Sequence, residues 1–305
     1  MSTEVLTPWE PEVLARIHHL HLVARHVVEG VLHGAHRARR LGPNVEFADY
    51  KEYSAGDPLR DLDWKVMARS DRLVIKRYEA ETELACTLVL DASGDTGTGD
   101  GAVRGRLPPE GSKLSYGVAL AATLAYFLHL HGEPVGLIVL GGEGVEQPWI
   151  PPRGGRQHLS LIFATLARVR AGGTAELASG LSQYAPRVPR RGLVALITDF
   201  MEESTDWLPA LRGLARRRAD VVAFHLLDRR ELSLDYDRPL VVFSPEGGDA
   251  LPIDPGGDRS EFNRVVSDWL DEVRGSVVGQ GGRYFPTWSD LPLEDALRRA
   301  IQGLL

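Results

Sequence analysis

Leu84-Ala85-Cys86-Thr87-Leu88-Val89-Leu90, followed at once by Asp91-Ala92-Ser93-Gly94-Asp95, is the stretch that decides the fold. A short run of almost unbroken apolar residues reads as a strand buried on both faces. Its end is marked by five residues rich in side-chain oxygen and in turn formers. Outward from this point the chain alternates. The periodicity predicts a helix over Lys113–Leu130, a strand over Val135–Leu140, helices over Gln157–Arg170 and Ala175–Tyr184, and a strand over Leu193–Ile197. A helix over Trp207–Arg218 and a strand over Val221–Leu227 follow, with a further strand at Leu240–Phe243. Helices over Arg259–Val278 and Leu293–Leu305 flank a short extended piece at Arg283–Thr287. Strands alternating with helices predict an α/β fold with a doubly wound, mostly parallel sheet covered on both faces. Residues 82–305 are expected to form this domain.

Residues 1–81 have a different texture. Leu14, Ile17, Leu20, Val23, Val27 and Val28 recur at helical spacing within Pro11–Arg40. Leu41–Glu81 is rich in charges and aromatics, and its short apolar pieces such as Leu73-Val74-Ile75 suit strands. The N-terminal part is therefore read as a helix plus a small strand-rich segment. Six histidines lie in the helix, but at metal-ligand spacing they supply only pairs, such as His18 with His21, with no carboxylate to complete them.

Bulk properties narrow the function. With 35 Lys+Arg against 42 Asp+Glu, the net charge is -7 and gives no electrostatic footprint for nucleic acid. The single cysteine, Cys86, bars an internal disulfide and reads as a small core residue. Leu114–Gly132 is uncharged but contains Ser115, Tyr116, Thr123, His129 and His131, which suits a helix under a sheet better than a bilayer span. The first ten residues lack a basic start and an apolar signal core, so a cytoplasmic protein is expected.

In parallel sheets, ligands gather beyond the carboxyl ends of the strands. There the sequence offers Asp91, Ser93 and Asp95 after one strand, Thr174 in Gly172-Gly173-Thr174 before a helix, and Asp199 after Thr198 at the end of a later strand. Hard oxygen donors with room for water suit Mg²⁺ or Mn²⁺. The pattern resembles the metal-ion-dependent adhesion site of von Willebrand factor A domains, Asp-x-Ser-x-Ser, then Thr, then Asp. The resemblance implies that Asp91, Ser93 and Thr174 hold the ion and that Asp199 orients it through water. Asp95 departs from the family's second Ser. It either neutralises more of the ion's charge or pairs with Lys113 and leaves no metal. Asp, Ser and Thr also serve as ordinary loop and helix caps, which is the bland alternative. EF-hand spacing fails at Thr96 and Ala102, and Gly97–Ala102, although glycine-patterned, does not run directly from strand into helix as a dinucleotide turn does.

Phe47-Ala48-Asp49-Tyr50, Tyr53-Ser54-Ala55-Gly56-Asp57-Pro58-Leu59-Arg60-Asp61-Leu62-Asp63-Trp64 and Ala68-Arg69 form the most distinctive text in the chain. They closely resemble the signature of the bacterial "domain of unknown function 58" family, in which a helix precedes and an A-like domain follows in the same order. The resemblance implies a MoxR-type AAA+ ATPase and a protein client as partners, and a role in assembly. Tyr53, Arg60, Asp63, Trp64 and Arg69 read either as a salt-bridged lattice or as partner anchors. The expected function is thus a non-catalytic protein-binding and assembly factor using a variant adhesion site. A metal-free structural module and a metal-dependent hydrolase are the alternatives. The hydrolase lacks a histidine base at a strand end beside the ion.

Overall fold

The computed structural model describes residues 11–36, 47–52, 66–67, 69, 73–78, 85–97, 112–145, 148–173, 177–202, 206–233, 240–242 and 251–304. Two compact units are present, one of Met1–Leu32 with Ala85–Leu305 and one of His33–Leu84. The expected division placed the first helix with the strand-rich segment. Its contacts place it with the sheet instead, because helix α1 (Pro11–His36) buries Val13, Leu20, Val23, Ala24, Val27, Val28 and Val31. That stripe keeps the predicted Leu20, Val23, Val27 and Val28 but not Leu14, which is 48% exposed while Val13 is buried. In the smaller unit, β1 (Phe47–Glu52) pairs antiparallel with β2 (Val74–Tyr78).

The larger unit is built on six strands. They are β3 (Cys86–Asp91), β4 (Val135–Leu140), β5 (Trp149–Arg153), β6 (Leu193–Thr198), β7 (Asp220–Leu227) and β10 (Arg283–Trp288). Their order across the sheet is β10-β7-β6-β3-β4-β5, parallel throughout except for antiparallel β5. A separate hairpin joins β8 (Leu240–Val242) and β9 (Leu251–Ile253). β5 was not expected: Trp149-Ile150-Pro151-Pro152-Arg153 reads as a loop because two prolines withdraw ladder donors, a pattern that only an edge strand tolerates. The opposite edge, β10, carries Pro286.

Helices cover both faces. α2 (Lys113–Leu130) lies on one, where Gly117 brings its backbone against Leu90, Ile197 and Leu226. α3 (Arg156–Leu166) and α7 (Leu293–Leu304) pack beside α2. His21 of α1 meets Tyr126 of α2 edge-on at 5.5 Å and Phe163 of α3 at 5.8 Å. α4 (Leu177–Tyr184), α5 (Leu208–Arg216) and α6 (Pro255–Gly279) cover the other face. There Leu181, Leu211 and Val277 close over Val89, Leu196 and Ala223. Adjacent strand residues thus serve opposite faces, the period-two rule at work. α2 is long and apolar enough to cross a membrane, yet 72% of it is buried within the fold. Cys86 is fully buried, and burial pushes its thiol up to about 12, so it is an inert core residue.

His225 of β7 is buried and pins the turn after β6. Its Nε2 donates to the Asp199 carbonyl at 2.8 Å, so its Nδ1 accepts from the Tyr284 hydroxyl at 2.7 Å. Burial holds it neutral, with its pKa lowered to about 4.

Three outcomes follow. Gly136 sits at the irregularity between β4 and β5, where an added Cβ would stand 2.7 Å from the Ile150 carbonyl oxygen and 2.8 Å from Pro152 N. Gly136→Ala is expected to lower stability by about 1–3 kcal/mol. Gly30→Ala, in an exposed helical position with nothing nearby, is expected to raise it by about 0.5–1 kcal/mol, both read from urea midpoints. Because His225 titrates lower in the folded chain than in the unfolded one, its contribution is complete above about pH 6.5 and declines towards pH 4. The stability gap between wild type and His225→Gln should therefore shrink by up to about 3 kcal/mol over that window; a constant gap would contradict the buried neutral imidazole.

Candidate functional site at the carboxyl rim of the sheet

Three loops converge where β3, β4 and β6 end. The Ala92 amide donates to the Leu140 carbonyl at 2.9 Å, the Gly172 amide to the Ala92 carbonyl at 3.1 Å, and the Gly94 amide to the Gly173 carbonyl at 2.9 Å. Gly142 lies at φ +80° with its Cα against Ala92, a position that a larger residue would strain. The backbone thus brings the segments carrying Asp91 to Asp95 and Gly172-Gly173 to one rim. Thr174 itself lies outside the described residues, as do Tyr53, Arg60, Asp63 and Trp64. Arg69 is described, as an exposed helical residue of the smaller unit.

Asp91 is buried at the end of β3. Its Oδ1 accepts from the Ser93 amide at 2.9 Å, and its Oδ2 accepts from the Thr198 hydroxyl at 2.6 Å. Burial and the Asp199 charge push its carboxyl up to about 7, against those two bonds. Ser93 is buried, and its carbonyl accepts from the Thr96 hydroxyl at 2.7 Å, which closes the 3₁₀ turn Gly94–Gly97 that carries Asp95. Asp95 is partly exposed, and its carboxyl is raised by burial and by Asp199, with Lys113 acting the other way.

Asp199 is 2% exposed and accepts at Oδ2 from Lys113 Nζ at 2.7 Å and at Oδ1 from the Met201 amide at 3.2 Å. Lys113, the first residue of α2, is fully buried. Its ammonium also contacts Glu231 Oε2 at 2.6 Å. Burial lowers the Lys113 pKa, but Asp199 and Glu231 more than offset it and the net shift is upward. The expected pairing of Lys113 with Asp95 is thus realised chiefly with Asp199 and Glu231, while Asp95 stands within electrostatic reach. Between Asp199 and Met201, Phe200 holds a left-handed backbone at φ 53°, which is costly for a bulky residue, and packs its ring against Trp207 and His225. That turn leaves Met201 38% exposed at the rim.

The described donors do not fit a divalent ion beside Lys113. Each oxygen of Asp91 and Asp199 already accepts from one protein donor, and an ammonium and a divalent cation 4 Å apart repel by about 8 kcal/mol at an effective dielectric of about 20. Among the described residues, no three His, Cys, Asp or Glu side chains are grouped to share a metal. Thr198, Glu231 and His225 were missed as members of the site, and Lys113 was named only as a partner of Asp95. Only Lys113 left a trace in the sequence: a cation in the first turn of an apolar helix opposes the helix dipole and demands a carboxylate. The expectation of no histidine beside the rim is corrected, since His225 pairs in register with Thr198, but both its ring nitrogens are engaged.

The family model described as "Protein of unknown function DUF58" matches residues 49–268. Uncharacterized proteins of Mycobacterium bovis and Mycobacterium tuberculosis are 28% identical over 277 residues, covering 89% of this chain and 83% of theirs. Among solved structures, BatB from Bacteroides thetaiotaomicron aligns at 16% identity and a TM-score of 0.45 over 72% of this chain and 97% of its own. An aerotolerance-related membrane protein from Bacteroides fragilis aligns at 15% and 0.40 over 72% and 96%. With the family model spanning well over half of its length, this chain belongs to the DUF58 family.

Proposed function

We propose that the chain is a non-catalytic protein-binding and assembly factor of von Willebrand A-like type, acting in the cytoplasm with a MoxR-type AAA+ ATPase on a protein client. In this reading a lysine ammonium stands where adhesion sites of that type place a metal ion. One observation carries it: Lys113 Nζ, fully buried, bridges Asp199 at 2.7 Å and Glu231 at 2.6 Å at the carboxyl rim of the sheet.

A hydrolase needs a base and an activating group with free valence. Here Asp91, Asp199, Lys113 and His225 are all engaged with one another or with their neighbours, which suits a rim built to hold its shape. A purely structural module would not need the strained turn at Phe200 or the exposed Met201 it presents. Non-glycine residues held at positive φ cluster at functional sites, and methionine adapts well to protein partners. With Lys113 spent on Asp199 and Glu231, the rim has no open coordination position for a partner's carboxylate. Recognition is assigned instead to Met201 and Asp95, with the signature residues Tyr53, Arg60, Asp63, Trp64 and Arg69 as a second contact.

Two experiments test this. Calorimetric titration of wild type with Mg²⁺ or Mn²⁺ should be flat. Lys113→Ala should lower stability by about 3–5 kcal/mol through uncompensated buried carboxylates. Mn²⁺ should restore part of that loss, read as a thermal shift. Mn²⁺ binding by wild type that vanishes in Asp91→Ala would return the site to metal. In the second, Met201→Ala and Asp95→Asn should each weaken capture of the MoxR-type ATPase of the same genome at least 10-fold, read on protein that still unfolds in one cooperative transition, since both side chains also neighbour Lys113. Unchanged capture in both would remove the rim from recognition.

A further inference from the structure

A second site lies on the other side of the loops that form the rim. Between α1, the first two turns of α2 and residues 169–171 the structure frames a half-open cavity of about 720 Å³. That volume lies within the range of about 300–1,000 Å³ typical of small-molecule sites. Its walls are apolar along Leu20, Val23, Leu114, Val118, Ala119 and Val169.

Polar groups in the lining are of one kind. Arg16, His19 and Arg170 contribute cationic or donor groups, and the only other polar side chains there are the hydroxyls of Ser112 and Ser115. Among the described residues no Asp or Glu lines the cavity, although the chain as a whole carries a net charge of -7. Among the described residues, no carboxylate pairs with Arg16 or Arg170. The Nε2 of His19 is buried without a hydrogen-bond partner. An unsatisfied buried nitrogen of this sort costs about 1–3 kcal/mol, and a bound acceptor removes that cost. Ser112 caps α2, its hydroxyl accepting from the Ser115 amide at 3.1 Å, so the positive end of an 18-residue helix also faces this wall.

We infer that this cavity binds an anionic amphiphile, its acyl or aryl body between α1 and α2 and its carboxylate, sulfonate or phosphate head among Arg16, His19 and Arg170. An apolar cavity with a few convergent polar groups of one sign selects body and head separately. The head discriminates: a neutral or cationic analogue of the same body leaves His19 Nε2 unsatisfied or sets like charges against the arginines.

The test uses the full chain and 8-anilinonaphthalene-1-sulfonate as the fluorescent probe. One saturable site per chain is expected. Dodecanoate below its micelle concentration should displace the probe at concentrations at least 10-fold lower than dodecanol, and dodecyltrimethylammonium should not compete. The double substitution Arg16→Gln with Arg170→Gln should weaken probe binding about 10-fold at an unchanged unfolding midpoint. Ala119→Leu should abolish it by filling the cavity. The surface double variant keeps the proposal exposed to refutation if the buried Ala119→Leu fails to fold. Non-saturable binding, equal competition by dodecanol, or full affinity in the double variant would overturn the assignment.

Discussion

The rim of this sheet is organised by one buried cation. Lys113 enters the fold at the positive end of an apolar helix, the worst place for an ammonium, and is held there by Asp199 and Glu231. Asp199, buried as it is, would itself be costly without it. The helix, the end of β6 and the turn after β7 are therefore registered against one another by charge. Asp91 joins the lattice through Thr198, and His225 joins it through the Asp199 carbonyl. A metal ion accomplishes similar cross-linking in other proteins, with a difference: a metal exchanges its last ligand for a partner's, whereas an ammonium on a covalent tether has nothing to exchange.

The layered fold was legible because it follows from local pattern. Leu84–Leu90, Val135–Leu140, Leu193–Ile197 and Val221–Leu227 are almost unbroken apolar runs, with Thr87 and His225 the polar exceptions, as strands buried on two faces require, and the helices between them carry their own signals. What escaped depends on tertiary context. β5 was hidden because Pro151 and Pro152 contradict a strand until its position at the sheet margin is known. The first helix was assigned to the wrong unit because its apolar stripe says that it packs, not against what.

The site was half legible for the same reason. Asp91, Ser93, Asp95 and Asp199 could be placed at strand ends from sequence alone, and the backbone bonds among residues 92–94, 140 and 172–173 bring their segments together. Lys113 was foreseen as a counterion only for Asp95: it is 86 positions from Asp199 and Glu231 lies farther along still, and no period in the chain encodes that meeting. Membership of the DUF58 family aligns the chain with relatives whose activity is equally open, so the chemistry has to be argued from these side chains.

Both margins of the central sheet end in proline-bearing strands, Pro151 and Pro152 on one side and Pro286 on the other. A residue without an amide hydrogen cannot complete a ladder with an incoming chain. Recruitment by donated strands, a common way for sheet proteins to capture extended peptides, is thereby discouraged at either border. At these two borders an incoming chain meets side chains instead of a full ladder, which shifts any selectivity there to the neighbouring loops and helices.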